Sequence, residues 1–318
     1  MTTQPAATPS DATAARALVV GEALVDVVLH PGQGPAEHPG GSPANVAIGL
    51  GRLGRRVDLL TWLGDDAYGD LVRDHLAGSH VHVLAGDRAP DRTPVARAHV
   101  DAGGVATYEF DLTWDLPDRW DEDAEPPVVV HTGSIATVIA PGGEAVAALL
   151  AARRATSTVT YDPNLRPALM GSPEATLPVV ERLVALADVV KVSDEDLGWL
   201  HPGVAPAEVA RDWVRRGPAL VVVTLGGEGA FAVTAGGAEL TITASTVTVA
   251  DTVGAGDSFM GGLIDGLWSA GLLGADRRAA LRAAGPDVVE QVLVRCARIA
   301  AITVSRPGAN PPTTADLA

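Results

Sequence analysis

The 318-residue sequence predicts an α/β fold, a mostly parallel central sheet covered by helices on both faces with a small β-sheet lid beside it. Three observations carry that expectation. From Pro127 onward, near-continuous runs of Val and Leu alternate with amphipathic stretches of helical length, the pattern of strands buried on both faces. Before that point, two alternating runs flank DAGG (101–104), a hairpin signal foreign to a pure βα alternation. The composition, 47% hydrophobic and 19% charged, is that of a globular chain able to bury a sizeable core in one large domain or two smaller ones.

In chain order, MTTQPAATPSDATAAR (1–16) is rich in Thr, Ala and Pro and lacks a basic start and an apolar core. It reads as a disordered tail and not as a signal peptide, leaving the folded domain over 17–318. ALVVG is a buried strand, and EALVDVVL continues as a second extended segment, interrupted by Glu22 and Asp26, so that no run is long and apolar enough to span a membrane. SPANVAIGLGRLG carries Val46, Leu50 and Leu53 on a helical stripe, with Ser42 as the expected N-cap and Pro43 as the first helical residue. RRVDLLTWLG then reads as a strand. RTPVARAHVDAGGVATYEF supplies the hairpin of the lid, which is expected to comprise about 23–39 and 92–115. PPVVVHTGSI, TVTYDPNL, DVVKVS and ALVVVTLGG read as strands, separated by the helices GGEAVAALLAARRA, EATLPVVERLVALA and AEVARDWVRRG. AGGAELTITAS adds an antiparallel edge strand, and 287–304 forms one last long helix.

A formal net charge of −16 with no block of Lys or Arg argues against nucleic acid or an anionic membrane as partner. It does not exclude a small polyanionic substrate held by backbone N–H groups. The single cysteine, Cys296, rules out an intramolecular disulfide, fits a reducing, cytoplasmic compartment, and reads as a small buried residue on a helix. The eight histidines show no metal-binding spacing. Among the tryptophans, Trp114, just past the hairpin, is the one to test for ligand contact.

Three stretches carry chemistry. GLGRLG (49–54) has the letters of a dinucleotide-binding turn, which would make the chain an NAD-dependent dehydrogenase. That fingerprint needs a strand before it and a helix after it, whereas the order here is reversed, so Gly54 reads as a helix C-cap. In GGSPAN, Gly40 and Gly41 let a ligand approach the backbone, and Asn45 offers a donor and an acceptor suited to a sugar hydroxyl; Asp26 is a second candidate for hydroxyl binding. In DTVGAGDSFMGG (251–262), Gly254, Ala255 and Gly256 can expose successive N–H groups at the start of a helix carrying Phe259, Leu263 and Leu267, which makes an anion cradle. A carboxylate there, Asp257, makes sense as the base that removes a proton from a hydroxyl attacking a phosphate. No GxxxxGK[ST] loop or protein-kinase signature occurs. DPNLR (162–166) follows a strand, at the carboxyl edge where doubly wound sheets bind ligands.

These residues carry a resemblance. GGSPANVAIGLGRLG resembles the N-terminal signature, and DTVGAGDSFMGGL the C-terminal signature, of the PfkB or ribokinase-like carbohydrate kinases. GEALVD, YDPNLR, KVSDEDL, TLGGEGA and SRPGA follow in the family's order, so the resemblance spans about 18–309. It implies a three-layer α/β/α sandwich with a β lid that phosphorylates a sugar alcohol from ATP with Mg²⁺, and with K⁺ at a site whose loop Asp251 helps to order. It implies Asp257 as catalytic base and Gly254, Ala255 and Gly256 as anion hole. Asp26, Gly40, Gly41, Asn45 and Arg166 would bind the sugar, and Asn164, Lys191, Ser193, Thr224, Gly226 and Gly229 would line the ATP side. KVSDEDL departs from the family's usual N-x-x-E form, with Ser193 in the first position and Asp196 in the last, where an acid would act on Mg²⁺ through water. The motifs are most similar to those of fructokinases, with 2-keto-3-deoxygluconate kinase and ribokinase as alternatives, since lid residues such as Arg97, His99, Tyr108 and Phe110 would set the outline of the substrate. A non-catalytic sensor on the same fold is the different-class alternative, against which the intact Asp257 argues. Lids in this family often pair between subunits, which implies a homodimer.

Overall fold

The computed structural model describes residues 15–32, 34–101, 106–121 and 125–318. Residues 1–14 of the expected tail and 102–104 of the DAGG turn lie outside the described residues. Arg16, read above as tail, belongs to the folded body: it is buried, with its guanidinium 3.2 Å from the Asp58 carboxylate and donating to the Glu125 carbonyl at 2.8 Å.

The chain enters at β1 (Ala17–Val20), runs out into β2 (Leu24–Leu29) and β3 (Ala36–Gly40), and returns through α1 (Ser42–Arg52) to β4 (Val57–Leu60). Next come α2 (Ala67–Ala77), β5 (Val81–Val83) and the lid hairpin β6 (Val95–Val100) and β7 (Ala106–Asp111). The βα alternation follows: β8 (Val129–Gly133), α3 (Gly142–Arg153), β9 (Thr158–Asp162), α4 (Pro167–Met170), α5 (Pro173–Leu186), β10 (Val189–Ser193), α6 (Asp194–Leu200), α7 (Pro206–Arg216) and β11 (Leu220–Thr224). The antiparallel pair β12 (Gly229–Thr234) and β13 (Glu239–Thr243) leads into α8 (Ala255–Ser269), α9 (Arg278–Arg282) and α10 (Pro286–Val304). No helix among the described residues is long and apolar enough to cross a membrane.

The main sheet has the order β13-β12-β11-β10-β9-β8-β1-β4-β5, and it is parallel except for its last two strands. Alternate residues of each strand face opposite layers, as the two-residue period requires. Val19 and Leu59 join the core shared with α1, α8 and α10, while Val20 and Leu60 join the core shared with α3, α5 and α7. The outer helices α8 and α10 approach closely because Gly262 and Gly266 leave no side chain between them, and Cys296 fills the space beside Gly262 as a fully buried thiol whose pKa burial pushes up.

The chain leaves β1 in one direction to reach β4 and β5 and in the other to reach β8, so the strand order reverses at β1. A crevice at the carboxyl ends of the strands is expected at that point. The second sheet, order β3-β2-β6-β7, springs from it. Direct pairing puts Asp26, Ala96 and Phe110 on one face of this lid, whereas Val25, Val27 and Val95 of the opposite face are buried in the core.

Candidate active site

The C-terminal edge of the sheet gathers most of the expected residues. Gly254 begins the turn into α8 in the left-handed region (φ 75), where a Cβ would stand 2.6 Å from that of Ala309. The 305–309 loop clamps this turn from behind. Asp251 fixes the clamp: one carboxylate oxygen accepts the Val253 N–H (3.0 Å) and the other the Gly308 N–H (2.9 Å), and these amides hold its carboxyl below the usual range. Ala255 N–H turns back to the Thr252 carbonyl at 3.3 Å, but no acceptor is present among the described residues for the N–H groups of Gly256 and Asp257. The N–H groups of Gly256 and Asp257 are thus the ones at this helix start left open to an acceptor from outside the chain.

Asp257 lies in the first turn of α8 and is buried. Its Oδ1 accepts from Ser42 Oγ (2.7 Å) and Asn164 Nδ2 (3.1 Å), and its Oδ2 accepts from Asn45 Nδ2 (2.8 Å). Asn164 also donates to Ser42 Oγ at 2.6 Å. These contacts correct one expectation and add partners at two further residues. Ser42 is not the cap of α1, since the cap is Gly41 at φ 108 and the Ser42 hydroxyl is spent on the carboxylate. Asn45, expected to bind the sugar, has its Nδ2 committed to Asp257. Asn164, expected on the ATP side, has its amide committed to Asp257, Ser42 and, through Oδ1, Arg166 (2.8 Å). With two donors on Oδ1 and one on Oδ2, the open lone pair of this carboxylate is on Oδ2.

On the other flank, Lys191 Nζ sits 2.8 Å from Asp162, both buried, and a Cβ at Gly256 would come within 2.9 Å of that ammonium. The cation thus borders the start of α8 at Gly256. Burial alone would lower the Lys191 pKa, but Asp162, with Asp257 and Asp196 beyond it, holds it above the ordinary value; burial raises Asp162 to about 6. Under the pair, burial and the Lys191 charge push His131 down to about 3, so it is neutral. Ser193 caps α6 through the Asp196 N–H (3.0 Å), and Asp196 Oδ1 accepts the Leu165 N–H (3.0 Å), which ties the DPNLR turn to α6. Thr224 lies beside Ser193 in register, and its hydroxyl donates to the Val192 carbonyl at 3.4 Å. Gly226 (φ 53) borders open space, whereas Gly229 (φ 116) is required by packing, since a Cβ there would strike the Ile242 carbonyl.

Asp26 lies on β2 of the lid. Its carboxylate occupies the space a Cβ at Gly40 would take, and a Cβ at Gly41 would lie 2.5 Å from the Glu22 carbonyl, so both glycines are required by close approach. Asp26 is exposed, yet the surrounding protein raises its pKa against the pull of His38 and Arg166. Tyr108 and Phe110 stack at 6.0 Å on its face of the lid, but Arg97 and His99 alternate to the other face with Glu109. Trp114 is buried and donates to the Ala136 carbonyl at 2.8 Å, a tether for the 134–137 turn. Glu22, which motif spacing did not single out, is 4% exposed and accepts the Ala136 N–H at 3.2 Å. Ser134 and Asn164 both take positive φ (55 and 37), the strained backbone that functional edges tolerate.

The family profile described as pfkB family carbohydrate kinase matches residues 14–316. The chain belongs to the pfkB family. It is a carbohydrate kinase, a sugar phosphotransferase of the fructokinase-like kind. A fructokinase of Rhizobium leguminosarum bv. trifolii is 35% identical over 79% of this chain and 79% of its own. The structure of a fructokinase from Xylella fastidiosa with bound ATP superposes with a TM-score of 0.77 at 26% identity, covering 92% of this chain and 93% of that one. That of a Vibrio cholerae fructokinase with fructose, ADP and calcium gives 0.75 at 27% identity over 95% and 97%. The pfkB assignment removes the dehydrogenase alternative, and geometry says why: Gly49 lies inside α1, and Gly54 (φ 81) closes it, with Arg55 N–H on the Leu50 carbonyl and Gly54 N–H on that of Gly51.

Among the described residues no three acids, histidines or cysteines cluster as a metal cage. Half-buried Asp196 is of the donor type that would hold the water of a Mg²⁺ carried by phosphates, and Asp251, whose oxygens accept the Val253 and Gly308 N–H groups, shapes its loop.

Burial lifts Glu22 from 4.5 to about 7, against the hydrogen bonds from Ser134 and Ala136 and the charge of Arg166. The folded state therefore keeps a proton that the unfolded chain releases near pH 4.5, and stability falls as pH rises from there to about 7. Glu22→Gln should leave stability unchanged below that window and gain up to about 3 kcal/mol above it. Urea midpoints of both proteins across this range check the prediction; a pH-independent difference would contradict it.

Proposed function

We propose that the enzyme transfers the γ-phosphoryl group of ATP to a primary hydroxyl of fructose. The observation that carries this reading is the Asp257 carboxylate, buried at the start of α8, held by three donors, and left with one open lone pair beside unpaired amides. The sugar oxygen attacks the γ-phosphorus as Asp257 Oδ2 takes its proton, and the bond from phosphorus to the oxygen of ADP breaks. The Gly256 and Asp257 amides meet the charge on the transferring group, and the Lys191 ammonium meets the charge that develops on the departing diphosphate. Mg²⁺ bound with ATP would neutralise phosphate charge, with Asp196 holding its water. The lid covers the acceptor and limits hydrolysis.

Fructose is preferred because the Rhizobium relative bears the name fructokinase and the Vibrio structure holds fructose and ADP. 2-Keto-3-deoxygluconate and ribose are the competing acceptors. K⁺ dependence and a reducing, cytoplasmic setting, the latter in keeping with the single buried thiol, are parts of the same proposal. A coupled assay of ADP formation across a sugar panel, with and without K⁺, tests the acceptor. Asp257→Asn should lower kcat by roughly 10²–10⁴ while fructose affinity stays near that of the wild type. An unchanged kcat would remove Asp257 from the chemistry.

The lid is also the proposed self-association surface. Tyr108 is 65% and Phe110 37% exposed, stacked on the edge strand β7, an apolar patch with an unpaired strand edge beside it. Light scattering should give a dimer mass, and Tyr108→Ser with Phe110→Ser should give a monomer; a monomeric wild type contradicts the proposal.

A further inference from the structure

The root of the lid is fastened to the body at a place that motif spacing does not mark. Helix α2 connects β4 to the edge strand β5, and its buried Val72 and Leu76 share a core with Val25, Val27 and Val95 on the underside of the lid. At the start of that helix, Asp66 Oδ1 accepts the Thr93 hydroxyl (2.7 Å) and the Gly69 N–H (2.8 Å), while Oδ2 accepts the Thr93 N–H (2.9 Å). Thr93 is buried just before lid strand β6, and its Oγ accepts in turn the Gly64 N–H at 3.1 Å. The segments touch closely enough that a Cβ at Gly64 would stand 2.7 Å from the Thr93 nitrogen. A helix cap needs only the bond to Gly69, which Asn or Ser would supply equally well. The second oxygen of Asp66 and both polar groups of Thr93 serve the junction instead.

A short path of contacts leads from this junction to Asp26. The residue after Thr93 is Pro94, whose carbonyl accepts the Val25 N–H at 3.1 Å, and Val25 pairs with Val95 in the parallel ladder of β2 and β6. Asp26 is the next residue of β2, with its carboxylate packed against Gly40. At the other side of the lid, Tyr68 in the first turn of α2 donates its hydroxyl to Glu37 Oε1 on β3 at 2.9 Å. The lid is therefore tied to α2 at the root of β6 and again at β3. The residues expected on the ATP side stand elsewhere: Lys191 and Thr224 lie on β10 and β11, which β8, β9 and β1 separate from β4 in the sheet. A change at the junction reaches the lid and Asp26 first.

We propose that Asp66 and Thr93 form a latch that positions the lid over the acceptor, so that the affinity for the sugar, and not that for ATP, depends on it. The inference rests on the sugar-kinase reading above and adds two positioning residues to it. The latch acts through Pro94 and Val25 on Asp26, without touching the substrate. With the latch broken, the root of the lid takes several positions in the free enzyme, and binding of the acceptor has to order it.

The test measures kcat and the KM values for fructose and ATP in the wild type, Thr93→Val, Asp66→Asn and Thr93→Ser. Thr93→Val keeps the volume and removes the hydroxyl, whereas Asp66→Asn keeps the cap on Gly69 but turns an amide donor toward the Thr93 N–H. Each should raise the fructose KM roughly ten-fold, while the ATP KM and the kcat at saturating fructose stay within about two-fold of the wild type. Thr93→Ser retains both contacts and should match the wild type. A merely structural junction would reduce the amount of active enzyme, lowering kcat and leaving both KM values where they were, which overturns the inference. So does a rise of both KM values together, or an unchanged fructose KM; in all these cases the kinase reading survives. If Thr93→Val does not fold, Asp66→Asn and Thr93→Ser decide by the same criteria. If the wild type phosphorylates another sugar of the panel and not fructose, the same constants are taken with that sugar. A wild type that phosphorylates no sugar overturns the kinase reading and this inference together.

Discussion

The structure depends on one constraint: a carboxylate buried at the start of a helix must be met by hydrogen-bond donors. Asp257 meets it with donors drawn from two other parts of the chain, Ser42 and Asn45 on α1 and Asn164 after β9. That arrangement explains why α1 is buried along nearly its whole length between the sheet and α8, and why small residues recur at those helix contacts. It also explains why Asn164 is held at positive φ: the turn must aim its amide across the strand ends at the carboxylate. Under the proposed function packing and catalysis are the same requirement, since the helices that close the core also set the direction of the Asp257 carboxylate.

Around this centre the charges divide into two zones. On one side the Lys191–Asp162 pair presents a fixed ammonium next to the amides of α8, in a dry setting where it acts with little reorganisation. On the other stand Asp26 on the lid, buried Glu22 at the end of β1, and Arg166, anchored on the Asn164 and Leu165 carbonyls. The net charge of −16 says nothing of this division. Under the proposed function, a strongly acidic enzyme binds a polyanion because a few backbone N–H groups and one lysine decide the local field.

Much of the fold was legible in the sequence. The alternation after Pro127 marks β8 to β11 and their helices within a few residues, because strands buried on both faces leave no choice but apolar runs. The reversed order around GLGRLG separated a helix end from a nucleotide turn. What stayed hidden was weakly patterned. α2 has only Val72 and Leu76 buried in its second half and shows itself mainly through the Asp66 cap on Gly69, while β12 is a short run of small residues masked by the turns beside it. At the site, DTVGAGD pointed to Asp257 through local spacing. The roles of Ser42, Asn164 and Glu22 were illegible for a common reason: each is defined by a partner more than 90 residues away, which no local pattern records.

The central claim is that Asp257 Oδ2 receives the proton of the sugar hydroxyl while the amides at the start of α8 hold the transferring group. A crystal structure of the enzyme with fructose and a non-hydrolysable ATP analogue tests it most directly. The account predicts the attacking hydroxyl within about 2.6–3.2 Å of Asp257 Oδ2, with the terminal phosphate on the Gly256 and Asp257 N–H groups. A hydroxyl bound away from Asp257, or phosphates held elsewhere than at these amides, would contradict it.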